Sequence, residues 1–364
     1  DRIREDTRYY IDSMSFDPNL QLFDSTRFDQ IFSKSSLHYT GIDNWSVGLG
    51  FNFTRETGIA DRLINRENGD SLLTAFEESA IYADLKYDGI QNLTLSFGNR
   101  YTIHSIYDNA ITNTVQAKYT INSKWSISSS YGEGYRSPTL KELYLEFIDQ
   151  NHNIIGNVNL QPERSYDLQS TLTYTPRNST TLSINGYFTN IRDQIALAEY
   201  ETLKFQYNNI DKFTTYGFQP SVTIQTKNLE INTSASIGYW SSYLTEAGDP
   251  QYGRNIDMSN TMTYSWLKSN SKIMLNHRYV GDQPTFRLQN DEIVVGSIQG
   301  YNLLGASLSK PLMNGKINFT AGIRNISNTQ NTEVLNNTGG THSGGRRNII
   351  SIGRSYFVNL SFTI

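Results

Sequence analysis

Cysteine is absent from the 364 residues. That removes disulfide frameworks, thiolate metal sites and cysteine nucleophiles together. The 5 histidines, His38, His104, His152, His277 and His342, are scattered, and no two stand at the close spacing of a zinc motif. Proline is scarce, with 8 residues, so little interrupts extended backbone. No stretch approaches the roughly 18 uncharged apolar residues a membrane helix requires. The 31 Lys and Arg against 35 Asp and Glu leave a net charge of −4, without the basic footprint of a nucleic-acid binder. A G-x-S-x-G elbow is missing. Gly48-Leu-Gly50 and Gly132-Glu-Gly134 each lack the third glycine of a dinucleotide fingerprint. Catalysis is not expected.

What the chain does have is alternation of period two along its whole length, with 24 Tyr and 17 Phe among the apolar positions. Leu229, Ile231, Thr233, Ala235, Ile237 and Tyr239 alternate with Glu230, Asn232, Ser234, Ser236 and Gly238. Comparable runs begin at Trp45, Trp125, Tyr166, Leu182 and Ile317, and a final one runs from Tyr356 to Ile364. They predict about sixteen strands with one apolar and one polar face, each near the ~10 residues that cross a bilayer at a tilt. A mean hydropathy of −0.50 does not oppose this, because lipid-facing residues of a barrel are diluted by the polar ones between them.

Turn signals fall into two size classes. Short ones stand at Asp43-Asn44, Gly89 to Asn92, Asn122-Ser123, Pro176 to Asn178, Lys227-Asn228, Lys268 to Asn270 and Asn314-Gly315. The largest polar loops are expected near residues 55–74, 139–162, 242–256 and 326–347. Short turns at one end and long loops at the other are the asymmetry of an outer-membrane barrel. A repeat of roughly 45 residues also suits a β-propeller, but a blade packs four short strands into that length, where this chain offers two long ones. The expected fold is all-β, a transmembrane antiparallel β-barrel, with residues 1–364 as one barrel domain.

One segment is more specific than the rest: Tyr131-Gly-Glu-Gly-Tyr135-Arg136-Ser137-Pro138-Thr-Leu-Lys141-Glu142-Leu-Tyr144, then His152, then Asn157-Val-Asn159-Leu160-Gln-Pro162-Glu163. It resembles the C-terminal half of TonB-dependent outer-membrane receptors, and most of all their haem-uptake branch, where a histidine lies between the two boxes. Tyr207-Asn-Asn-Ile-Asp211, Gly322-Ile-Arg-Asn-Ile326 and Gly353-Arg-Ser-Tyr-Phe357 resemble the same family. The resemblance implies a 22-stranded barrel filled by an N-terminal plug. It also implies uptake of a scarce nutrient driven by the TonB complex of the inner membrane. Two features depart from that pattern: the strand count, and the absence of any segment that reads as a plug or TonB box. The chain is therefore expected to be the C-terminal portion of a longer receptor, its plug and first strands cleaved, disordered or carried by another chain, with a sixteen-strand barrel that closes alone, as in porins, as the alternative. Ser137 stands where the family has alanine. Val158 stands where it has proline, which removes a fixed φ.

From the resemblance, His152 is the candidate axial ligand of haem iron, since neutral imidazole donates a lone pair to it; the plain alternative is a loop histidine. Tyr135 and Arg136 would hold haem propionates, guanidinium gripping carboxylate in a fork, or else the box is architectural, as Pro138 and Leu140 are. Asn157 and Asn159 either touch ligand or satisfy backbone groups of their turn. His342, in the basic loop that ends at Arg347, is a solvated loop residue or else joins an extracellular mouth. The expected cargo is haem or an iron chelate, with cobalamin or a ferric siderophore as alternatives and a diffusion porin as the alternative class. No cofactor is expected to be permanently bound, haem entering only as transported ligand. The expected partners are outer-membrane lipid, the TonB complex through a plug outside this chain, the missing N-terminal segment or second chain, and a surface lipoprotein, but no nucleic acid. The expected location is the bacterial outer membrane.

Overall fold

The alternating segments are strands, and most are longer than a bilayer requires. A computed structural model describes residues 8–9, 23–24, 26–64, 71–148, 153–201, 204–243, 251–289, 292–335 and 346–362. The barrel strands are β1 (Thr26–Ile42), β2 (Trp45–Ile64), β3 (Ser71–Ile90), β4 (Leu93–His104), β5 (Ala110–Thr120), β6 (Trp125–Arg136), β7 (Glu163–Arg177) and β8 (Thr180–Glu201). They continue with β9 (Lys204–Gln225), β10 (Leu229–Tyr243), β11 (Gln251–Trp266), β12 (Ser271–Val280), β13 (Tyr301–Leu312), β14 (Ile317–Arg324) and β15 (Ser355–Phe362). Each is antiparallel to the next in the chain. This meander is the expected all-β barrel, with a strand number close to that read from the sequence. The ring order sets β15 beside β1.

The short turns fall where the sequence puts them. Asn44, Asn92, Asn270 and Asn314 take positive φ of 64°, 64°, 51° and 56°, which asparagine tolerates because its short side chain bonds locally. The long loops differ from expectation. Residues 55–74 are largely strand, with Ala60 in register with Leu72: polar composition does not stop a hairpin that stands clear of the bilayer. Residues 242–256 are shortened by the start of β11 at Gln251. Within 326–347, Asn331–Leu335 pairs with Arg346–Ile349, and a further hairpin, Gln283–Gln289 with Glu292–Ile298, separates β12 from β13.

Hydrophobic residues point outward. Leu49, Phe51, Ile81, Leu95, Phe97, Val115, Leu168, Leu182, Ile184, Leu275 and Leu308 are all exposed, a continuous apolar surface far beyond what a water-soluble fold presents. Rows of aromatics bracket it. Near the short turns, Trp45 meets Tyr87 at 4.6 Å and Trp125 meets Tyr174 at 4.3 Å between ring centroids. Toward the long loops, Tyr166 stacks on Phe188 at 5.8 Å and Tyr216 on Tyr239 at 5.7 Å. These are the two girdles of a membrane barrel, and no described helix is long and apolar enough to cross a membrane. The inner face is polar, with hydroxyl pairs such as Ser183 and Ser221, 2.6 Å apart, and Ser309 and Thr320, 2.7 Å apart. Tyr187 lies on bare backbone there. A Cβ on Gly238 would come within 2.5 Å of its hydroxyl, and one on Gly217 would collide with the Ile237 carbonyl oxygen.

Candidate functional site

After β6 the chain leaves the ladder at Pro138, which is fully buried, and turns into a single helical turn, α1 (Leu140–Tyr144). Thr139 starts it. Its backbone N–H donates to Glu142 Oε2 at 2.8 Å, and its hydroxyl accepts from the Glu142 N–H at 3.3 Å. This capping box satisfies two donors that a helix start leaves orphaned. The T-x-x-E spacing was legible in the sequence, although the segment was expected to be loop. Leu140 and Leu143 face inward and are buried. Thr139→Ala is expected to lower stability by about 1 kcal/mol, read as a shift in the urea midpoint of the detergent-solubilised barrel.

Arg136 ties this turn to the barrel. Its Nε donates to Glu163 Oε2 at 2.7 Å and one terminal nitrogen donates to Glu163 Oε1 at 2.8 Å. The other terminal nitrogen donates to both Glu142 oxygens, at 3.1 and 3.0 Å. Glu163 Oε1 also accepts from the Ile195 N–H at 2.7 Å. All three guanidinium nitrogens are thus committed to two carboxylates, and the arrangement is that of a clasp between β6, α1, β7 and β8. Tyr135 sits on the opposite, outer face because successive strand side chains alternate. Its ring lies under the Arg164 guanidinium at 5.5 Å, and its hydroxyl donates to the Asp108 carbonyl at 3.4 Å. Tyr135 and Arg136 therefore do not share a face of β6.

The second box closes the clasp. The Asn157 N–H donates to the Glu142 carbonyl at 2.8 Å, and its side-chain amide donates to the Tyr207 carbonyl at 3.1 Å. Asn157 Oδ1 accepts from the Asn159 N–H at 3.0 Å. The Gln161 N–H donates to Asn209 Oδ1 at 2.8 Å, and Asn209 returns a bond to the Gln161 carbonyl at 3.0 Å. Leu160 and Ile210 are fully buried at this contact. Two motifs some fifty residues apart are therefore one structure. Asn157 satisfies backbone groups, while the Asn159 side chain is exposed. Val158 is 53% exposed, so the proline expected there fills no packing role that valine must replace.

His152 and His342 lie outside the described residues. His104 is buried at the long-loop end of β4, its Nδ1 accepting from the N–H groups of Ile106 and Tyr107 at 3.1 and 3.3 Å. In the turn that follows, burial first, and then Tyr144, Tyr135 and Glu142 nearby, push the Tyr107 phenol up to about 12. It stays a neutral phenol at physiological pH. Among the described residues no group of three or more His, Asp or Glu could hold a bare metal ion.

The sequence reading missed a cavity in the barrel interior toward the long loops, with a volume of about 840 Å³, within the usual size of small-molecule sites. Its wall includes Gln219, Asn255, Asp257, Arg278, Gln283 and Tyr301. Asp257 accepts from the Gly281 N–H at 3.1 Å, Asn255 Oδ1 is buried without a partner, and Arg278 carries no ion pair among the described residues. One guanidinium, Arg278, and one carboxylate, Asp257, stand there among neutral amides and hydroxyls, a lining that suits an oxygen-rich, polar solute. These residues come from five different segments, so no local motif could have marked them.

Comparison with known proteins points one way. The family model described as TonB dependent receptor-like, beta-barrel matches residues 1–326. An iron-regulated outer membrane virulence protein of Vibrio cholerae is 22% identical over 225 residues, 57% of this chain and 34% of that protein. Among solved structures, the FrpB iron transporter of Neisseria meningitidis superposes with a TM-score of 0.67 at 13% identity, over 94% of this chain and 56% of its own. A mutant of the ferric enterobactin receptor of Pseudomonas aeruginosa gives 0.70 at 12% identity, over 95% and 55%. The chain thus spans about a third of its curated relative and little more than half of these structures. At such identities the structural likeness is one of fold.

Proposed function

We propose a function from one premise: this chain belongs to the TonB-dependent receptor β-barrel family and is a protein of the bacterial outer membrane. It is the C-terminal barrel portion of a longer receptor, whose plug engages the TonB complex. The share of its relatives that the chain spans, 34% of the curated protein and 56% of the FrpB transporter, supports this. The receptor captures a ferric chelate of siderophore type at its outer end and passes it inward without covalent chemistry.

The polar interior cavity around Arg278 carries this reading, together with relatives named as iron-regulated, iron-transporting and ferric enterobactin receptors. A hydrophilic chelate rich in oxygen matches that polar wall, whereas the flat apolar face of haem would leave its amides and hydroxyls unpaired. Haem is the second reading because His152 stands between the two boxes.

The test is a titration of the full-length receptor with a ferric catecholate, a ferric hydroxamate and hemin, beside Arg278→Ala and His152→Ala. Saturable binding of a ferric chelate is expected, weakened at least tenfold, about 1.4 kcal/mol, by Arg278→Ala. A saturable Soret shift with hemin that fades in His152→Ala would replace the siderophore by haem. Absence of any saturable binding would leave a diffusion porin.

A further inference from the structure

Among the described residues that line the interior cavity, one is a base, Arg278, and one an acid, Asp257. Both belong to the inner face. Met258 is exposed on the lipid side, so its neighbours Asp257 and Ser259 point inward, and Arg278 is in register with Ser259. Asp257 and Arg278 are therefore diagonal neighbours, with Cβ atoms roughly 7 Å apart, near enough for the guanidinium to reach the carboxylate. No ion pair joins them among the described residues.

The backbone seats the carboxylate instead. Asp257 Oδ1 accepts from the Gly281 N–H at 3.1 Å. That approach leaves no space for a side chain, since a Cβ on Gly281 would collide with the Ile256 carbonyl oxygen. Two more acceptors extend the same side of the wall. Asn255, the next inward residue of β11, has its Oδ1 buried without a partner. Asp282 is exposed at the rim, beside the lining residue Gln283, and its Oδ1 accepts from the Gly300 N–H at 2.7 Å. One cation thus stands among two carboxylates and an orphan carbonyl.

That balance discriminates between ferric chelates. Three doubly charged catecholates leave the complex of a ferric ion trianionic, whereas three singly charged hydroxamates leave it neutral. A trianion would give up its water for a single guanidinium and would meet two carboxylates, and charge withdrawn from water without partners is costly. A neutral chelate escapes that cost. It must also bring donors, because Asn255 Oδ1 remains unsatisfied until an N–H or O–H reaches it. Hydroxamates carried on a peptide ring have amide N–H groups beside their metal-binding oxygens, and those oxygens suit the Arg278 fork.

We propose that Asp257 is the charge-selecting residue of this cavity, and that its cargo is a neutral ferric hydroxamate bearing amide N–H groups, with trianionic ferric catecholates turned away. The proposal rests on the reading that the cavity holds a ferric chelate. Specificity is built by a repulsive group as much as by attractive ones. The likeness to a ferric enterobactin receptor is one of fold, at 12% identity, and imposes no common cargo.

The full-length receptor in detergent would be titrated with a ferric cyclic-peptide trihydroxamate and with ferric enterobactin, beside Asp257→Asn and Arg278→Ala. Wild type is expected to bind the hydroxamate at least tenfold more tightly than enterobactin. Asp257→Asn keeps an acceptor for the Gly281 N–H and should tighten enterobactin at least tenfold. Arg278→Ala should weaken the hydroxamate by a similar factor, which locates it in this cavity. If the asparagine variant fails to fold, salt decides on wild type: screening a net repulsion should tighten enterobactin as ionic strength rises. Wild-type binding of enterobactin as tight as that of the hydroxamate would overturn the inference and leave the cavity a chelate site, as would enterobactin affinity unmoved by Asp257→Asn. Hydroxamate binding indifferent to Arg278→Ala would place the chelate elsewhere and overturn it too. Failure of both chelates to bind saturably would remove the underlying reading and the inference with it.

Discussion

Arg136→Ala is expected to lower barrel stability by roughly 3 kcal/mol, the lower end of the cost of breaking a buried ion pair. The lower end applies because the arginine side chain is 41% exposed, although its two partners are only 15% and 17% exposed. The loss would come mainly from what remains. Glu142 and Glu163 would face each other without the cation between them, and Glu163 would keep only the bond from the Ile195 N–H. Glu163→Gln should cost less, since an amide oxygen still accepts from Arg136 and the Glu142 half of the clasp survives. Urea unfolding of the reconstituted barrel measures both, and protease nicking between residues 137 and 162 reports whether the box has come loose. If Arg136→Ala were as stable as wild type but no longer bound ligand, the clasp would be a ligand site rather than an architectural one.

Gly156→Ala should be comparably damaging, at about 3 kcal/mol, the upper end for overpacking. A Cβ there would lie 2.6 Å from the Leu143 carbonyl carbon and oxygen and 2.7 Å from the Tyr144 nitrogen. These are backbone atoms of α1, which cannot rotate aside as a side-chain tip would. The Gly156 N–H donates to the Leu145 carbonyl at 2.6 Å, so any shift also strains the bond that seats the second box. The same unfolding assay would show the loss. An unchanged midpoint would mean that α1 can move as a unit, and that the contact with Asn157 matters less than its geometry implies.

Much of the barrel was legible beforehand. Alternation in stretches such as Leu229 to Tyr239 gave strand, face and approximate length, and asparagines at positions 44, 92, 270 and 314 marked turns that do adopt positive φ. The opposite faces of Tyr135 and Arg136 follow from the same period and needed no structure, although a resemblance that groups the two residues hid it. The capping box of Thr139 and Glu142 was equally local. The long loops were harder to read, because above the membrane both faces of a hairpin are wet and composition no longer distinguishes strand from loop.

The sequence alone determined the class of the protein: period two is a local property, set by backbone geometry within a few residues. The absence of long apolar runs left only a barrel as a way through a bilayer. Tertiary structure decided which distant residues meet. Arg136 faces Glu163, Asn157 reaches Tyr207, and Arg278 shares a wall with Asn255 and Asp257. Each of these depends on the register of one strand against the next, and a slip of one residue would turn every side chain of a strand to the other face. That register is set cooperatively by the whole ladder, by turns, bulges and lipid-facing residues together, so no single stretch of the chain encodes it.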